Sequence, residues 1–219
     1  MTVELGPLLV EAADPTAVAR FWTAALGPDA FHRHLVVRAQ RGPKVVKNRV
    51  HLDVCVRDPE HLLALGASVL AEYLPQRVTL ADVEGNEFCA FVEPAMNDDA
   101  VARAFAVCTD SARPEEIAAW WAPLVGAEVR DGPDGTPRWL YGPAGWESMI
   151  WKFVRVTDER VEPNRWRWSI RGATEAVTAA GGVRSDDGSF VDPDGNSFSV
   201  ASPGWSMGPG TSSRSDGDR

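Results

Sequence analysis

The chain has 219 residues, 44% of them hydrophobic, and carries a formal net charge of −9. That length allows one large domain or two small ones with buried cores, and the acidic balance excludes a general binder of nucleic acid or anionic membrane. No apolar run reaches the ~18–20 residues of a membrane span, the start MTVELGPLLVEAAD lacks the pattern of a secretory signal, and Cys55, Cys89 and Cys108 show no paired spacing, which fits reduced thiols in the cytoplasm.

Leu5 to Ala12 reads as a strand. Asp14 caps a helix with Pro15 at its first position, where a missing N–H costs nothing. Val18, Phe21, Trp22 and Leu26 form its apolar face and Gly27 ends it. Phe31 to Ala39 is expected as a strand carrying His32 and His34 on one solvent-side face. Arg49 to Val56 alternates, with Val50, Leu52, Val54 and Val56 on one side and Arg49, His51, Asp53 and Cys55 on the other. A short exposed helix after Asp58–Pro59 carries His61 and stops at Gly66, and Val69 to Tyr73, Arg77 to Leu80 and Glu87 to Val92 are three further strands.

After a linker at 94–103 the pattern restarts. Phe105 to Thr109 is a strand, and Pro114 to Val125 a helix carrying Ile117, Trp120, Trp121 and Leu124. VARFWTAALG and IAAWWAPLVG superpose without a gap, and the dipeptide Asn48–Arg49 recurs at Asn164–Arg165. The interval between helix and Asn-Arg is longer in the second half. Its extra residues, Asp131 to Val156, read as two added strands, so the first half lacks part of this sheet. One phrase closes both halves: DVEGNEF from Asp82 and DPDGNSF from Asp192. Each is an acidic turn with Gly at the tip leading into an alternating strand. The last stretch, Ser206 to Arg219, is a Gly/Ser/Asp/Arg-rich tail without apolar anchors and is expected to be disordered.

Helix, then NRVHLDV, then a turn closing on GNEF resembles the glyoxalase-like domains of the vicinal oxygen chelate superfamily, which includes glyoxalases, extradiol dioxygenases and bleomycin-resistance-type binding proteins. The resemblance implies an α+β fold of two tandem domains, each of paired βαβββ modules: a shortened domain at 1–93, a linker at 94–103, and a second domain at 104–205 before the tail at 206–219. It also implies a cup in each domain, where catalytic members hold a divalent metal with His and Glu from four strands. In the first domain those positions fall near Pro7, at His51 and at Cys89, with the fourth in the missing stretch. In the second they fall near Ala106, Lys152, Arg167 and Ser199, and protonated Lys and Arg offer no lone pair to a cation.

No cofactor is therefore expected. His51 is the one candidate metal ligand, and His51 with Asp53 the one candidate acid–base pair, although neighbours of this kind on a strand also pair simply to satisfy each other. Alternation puts Arg165, Arg167 and Ser169 on the cup side and Trp166, Trp168 and Ile170 on the helix side. Lys152, Arg165, Arg167 and Ser199 are the candidate anion-binding residues, because the Arg fork suits carboxylate or phosphate. The plainer alternative is that these cations pair with acids inside the protein. Trp120, Trp121, Trp166 and Trp168 are expected as packing, and Trp139, Trp146 and Trp151 as a stacking wall for a flat ligand. The expected function is metal-free binding of a small anionic or aromatic molecule in the second domain's cup. The alternative is a metal-dependent glyoxalase- or dioxygenase-like enzyme using His51, with a homodimer open in either case.

Overall fold

The computed structural model describes residues 2–40, 42, 44–73, 76–97, 99–158, 164–172 and 174–201, so the expected disordered tail lies outside the described residues. The chain folds as four consecutive modules. The first contains β1 (Glu4–Leu5), β2 (Leu8–Ala12), α1 (Pro15–Leu26), α2 (Pro28–His34) and β3 (Leu35–Ala39). The second contains β4 (Val50–Val56), α3 (Glu60–Ala64), β5 (Ser68–Tyr73), β6 (Arg77–Ala81) and β7 (Glu87–Val92). The third contains β8 (Ala102–Ser111), α4 (Pro114–Val125), β9 (Glu128–Asp131), β10 (Pro137–Tyr141) and β11 (Ile150–Arg155). The fourth contains β12 (Trp166–Arg167), β13 (Ser169–Arg171), α5 (Thr174–Ala179), β14 (Val183–Arg184), β15 (Phe190–Val191) and β16 (Ser197–Val200).

The shortening of the first module is visible in its strand pairing. In the third module the first and last strands, β8 and β11, lie side by side and parallel, with β10 and β9 beyond them. In the first module β2 and β3 make the same parallel pair, from Leu8↔Leu35 to Ala12↔Ala39, with nothing described beyond β3. Helix α2 bridges α1 directly to β3, where the third module has β9, β10 and their turns. The expected strand from Phe31 is therefore corrected: 31–34 is helical, and Phe31 and His34 turn inward from it.

Pairing between modules crosses the two halves of the sequence. One sheet has the order β5-β6-β7-β4-β8-β11-β10-β9 and joins modules two and three. Modules one and four join through β2–β12 and β1–β13. The expectation that each half closes its own cup is thus overturned: each composite sheet takes one module from each half. Where β1 passes to β2, the Gly6 N–H donates to Ser169 O, and a Cβ at Gly6 would stand 2.4 Å from Ser169 Oγ, so a side chain here would push that hydroxyl off Pro7 O. The repeated Asn-Arg dipeptides meet where the sheets adjoin, with Arg49 N–H donating to Asn164 Oδ1 at 2.6 Å.

The core lies between helices and sheets. On α1, Val18, Phe21, Trp22, Ala25 and Leu26 are buried, and the Asp14 carboxylate accepts the Ala17 N–H as its cap. Trp22 packs on Phe88 and Trp166; Trp121 packs on Trp151, Trp168 and Phe198. Trp120 is half-buried and donates to Ala180 O.

The repeated acidic turn clamps these tryptophans. Asp82 Oδ1 accepts from the backbone of Glu84 and Asn86, while Oδ2 accepts from Trp22 Nε1 at 3.1 Å. Asp192 repeats the arrangement with Asp194, Asn196 and Trp121 Nε1 at 3.2 Å. The tips, Gly85 and Gly195, both have φ of 80°, which glycine adopts without strain. Each phrase thus ties a hairpin to the helix of the preceding module.

Candidate functional site

On the sheet of modules two and three, the face opposite the apolar Val50/Leu52/Val54/Val56 row carries a compact charged cluster. Register sets His51 opposite Cys108, Asp53 opposite Ala106 and Cys89, and Lys152 beside Cys108. Lys152 Nζ stands 2.9 Å from Asp53 Oδ2, and the Cys108 thiol reaches the same oxygen at 3.2 Å. His51 Nε2 lies 3.4 Å from Asp53 Oδ1 and 3.6 Å from Cys89 Sγ. The Lys152 ammonium is also ringed by Phe105 at 4.4 Å, Trp139 at 5.1 Å and Phe91 at 5.2 Å from their centroids. Asp53 is 2% exposed and Lys152 7%.

Burial works against the charge on Asp53, but His51 and Lys152 outweigh it and hold the carboxyl below its usual range. Burial likewise opposes a charge on His51. The neighbouring Cys108 sulfur, then Asp53 and Cys89, win against it and keep the imidazole's pKa well above its ordinary value. The Cys108 thiol is pushed up to about 11, mainly by burial and then by Asp53. At neutral pH Cys108 is consequently a thiol, and its support for the His51 charge is weaker than that of the Asp53 carboxylate.

His51, Asp53 and Cys108 bring a nitrogen, an oxygen and a sulfur within 4.8 Å of one another, a group that could hold a metal ion by count. Its chemistry does not fit one as it stands. Metal binding needs a neutral imidazole, a thiolate and a free carboxylate, whereas here the Asp53 carboxylate is already matched by the Lys152 ammonium 2.9 Å away, a charge that repels a divalent ion. Cys108 was not singled out in the sequence, yet it lies two residues from Ala106 on one strand, so alternation alone could have found it.

Of the four candidate anion residues, only Arg167 and Ser199 border one space. Lys152 belongs to this cluster, and its partner is Asp53 of the other half. Arg165 Nη1 lies 3.6 Å from Glu84, and its Nη2 donates to Gly42 O. Arg167 pairs with Glu11 and Ser199 lies near it, both on the composite sheet of modules one and four. The stacking wall is corrected too. Trp151 precedes Lys152 by one residue on β11, so it faces the helices: it is fully buried and donates to Thr109 Oγ1 at 3.0 Å. Trp146 is buried and donates to Gly6 O at 2.8 Å. Trp139 alone of the three shares a face with Lys152.

His34, expected toward solvent, is 9% exposed, and burial, helped by the Arg33 charge, lowers its pKa to about 4. His32 instead lines an open cavity.

That cavity is bordered mainly by modules one and four, with Gly145 of module three at its edge. A space of about 360 Å³ is bordered by Arg38, Arg167, Ser169, Ser199 and the 187–189 turn. It shares Arg38 with a larger space of about 610 Å³, bordered by Pro7, His32, Val36, Val37 and Arg171. The first is polar, the second mostly apolar with a cationic rim. Arg167 engages Glu11 through Nη2, while its buried Nε has no hydrogen-bond partner. Arg38 was missed because it stands on the shortened module. There Leu35 is buried in the core, which turns Val36 and Arg38 to the cavity side.

The glyoxalase-like domain family model matches residues 8–91 and 106–201. No match to the sequence is found among curated proteins. Among solved structures, a mutant of glyoxalase I from Zea mays is similar with a TM-score of 0.62 at 15% identity, over 91% of this chain and 92% of that one. A putative dioxygenase from Bacillus subtilis subsp. subtilis str. 168 also gives 0.62, at 11% identity, over 91% of this chain and 84% of that one. At these identities the likeness is one of fold. Among the described residues no helix is long and apolar enough to cross a membrane.

Proposed function

The chain belongs to the glyoxalase-like family of the vicinal oxygen chelate superfamily, and on that premise we propose that it binds a small organic anion, without a metal, in the cleft between modules one and four. The observation that carries this reading is the position of Arg38, which borders both a polar space holding Arg167, Ser169 and Ser199 and an apolar one along Val36 and Pro7. A carboxylate or phosphate suits the first because arginine makes paired, charge-assisted hydrogen bonds and the hydroxyls can donate beside it. A flat or aliphatic body suits the second. The three free thiols suit a reducing compartment such as the cytoplasm.

Calorimetric titration with a panel of aromatic and aliphatic carboxylates and phosphate esters tests this. Arg38→Ala and Arg167→Lys should each weaken the best binder by about 10–100-fold, as expected for one charged hydrogen-bonding group. A panel without binders, or a binder indifferent to both variants, would overturn the proposal. The reading as a metal-dependent enzyme through His51 is favoured only by the His51/Asp53/Cys108 donor group. Metal analysis of untagged protein addresses it, with well under a tenth of an equivalent expected.

A further inference from the structure

Three strands deliver unlike donors to one carboxylate. Cys108 Sγ and Lys152 Nζ both contact Asp53 Oδ2, at 3.2 and 2.9 Å, and His51 Nε2 faces Asp53 Oδ1 at 3.4 Å. The candidate ligand atoms of His51, Asp53 and Cys108 all lie within 4.8 Å of one another, so modest side-chain rotation brings them to the edges, about 3.3–3.8 Å, of a tetrahedron with metal–ligand bonds of roughly 2.0–2.3 Å. No hydrogen bond of good geometry reaches Asp53 Oδ1 or His51 Nδ1, although both atoms are buried. The arrangement has the donors of a cation site with a covalently attached cation already in it, and the rings of Phe105, Trp139 and Phe91 hold that cation from behind.

We propose that Lys152 is a tethered cation: its ammonium neutralises Asp53 where a divalent ion would otherwise bind, and removing it converts the His51/Asp53/Cys108 cluster into a metal site. Charge balance supports this. With Lys152 present, a divalent ion bound by neutral His51, the Asp53 carboxylate and a Cys108 thiolate leaves one uncompensated positive charge in a buried space. With Lys152 replaced by an apolar residue, the same ion and ligands sum to zero. The thiol proton passes to solvent as the metal–sulfur bond forms. Nitrogen, oxygen and sulfur ligands together suit zinc or cobalt(II) rather than magnesium or calcium. The site would keep an open fourth position, with Cys89 Sγ next to His51 at 3.6 Å.

Cobalt(II) titration of metal-free protein reads this directly, because a cobalt–thiolate bond gives a near-ultraviolet charge-transfer band. Wild type should show no band. Lys152→Met, of similar length and without charge, should take up one equivalent at least about a hundredfold more tightly. Lys152→Arg should behave as wild type, and Asp53→Ala added to Lys152→Met should abolish uptake. Circular dichroism checks that each variant folds, and a Lys152→Met protein that folds only with cobalt present also supports the proposal. One equivalent bound by wild type with the thiolate band, or a folded Lys152→Met that binds none, overturns it. If Lys152→Met does not fold, Lys152→Gln, equally without charge and still able to donate to Asp53, is titrated in its place, with one equivalent bound expected and none bound overturning the proposal.

Discussion

Replacing Asp53 by Asn should show how the buried cluster is balanced. At 2.9 Å the Asp53–Lys152 attraction is about 6 kcal/mol at an effective dielectric of ~20. Desolvation costs several kcal/mol for each ion, so the intact pair contributes little net stability. Breaking it is another matter, because the partner is left buried and charged. Asp53→Asn and Lys152→Met should each cost about 3–5 kcal/mol, and the double variant much less than their sum, with a coupling of about 3 kcal/mol. Urea unfolding at pH 7 with chelator present gives the four free energies, provided the m-value is constant across the cycle. Two single losses that add in the double variant would refute the reasoning, since they would mean that each residue acts through packing alone. The pH sign follows from the same cluster. Asp53, held below its unfolded value, contributes stability above that value and loses it as pH falls through the folded pKa. His51, held above 6.5, contributes stability below 6.5 and loses it as pH rises through its folded pKa.

His34 runs the other way from His51. Its folded pKa of about 4 lies below the ordinary 6.5, so the unfolded chain takes the proton first and stability falls from pH 6.5 toward 4, by at most about 3 kcal/mol. His34→Gln should flatten that part of a melting-temperature profile relative to wild type; a difference between the two that is constant from pH 7.5 to 4.5 would count against it. Asp82→Ala leaves Trp22 Nε1 and the Asn86 donors without an acceptor and should cost about 3 kcal/mol in chemical denaturation, with Asp192→Ala similar. The calorimetric affinity for an aromatic anion should be unchanged by Trp139→Phe, because Trp139 lies on the sheet of modules two and three and not at the Arg38 cleft. Loss of that affinity would relocate the ligand.

The sequence by itself determined the modules. Helix faces, strand alternation and the acidic Gly turns are local properties, and the structure keeps them: Val18, Phe21 and Trp22 point inward, Trp166 and Trp168 are fully buried, and both DxxGN-type turns close on their own aspartates. The missing strands of the first module were also legible, because a gap between matched stretches is a count. Trp151 could have been placed correctly, since it is adjacent to Lys152 on one strand and must face the other way. Helix α2 was not legible: Phe31, His32 and His34 suit a short strand as well as a helical turn, and only the lost sheet edge decided between them.

Only the tertiary structure decided which module meets which. Alternation fixes the face of a residue and says nothing of the strand across from it. Any module's first strand offers the same unpaired edge, so pairing within a half or across halves satisfies the local pattern equally well. The fold joins two with three and one with four. That choice takes Lys152 away from Arg167, sets it against Asp53, and leaves Arg167 facing a cleft built from residues more than a hundred positions apart in the chain.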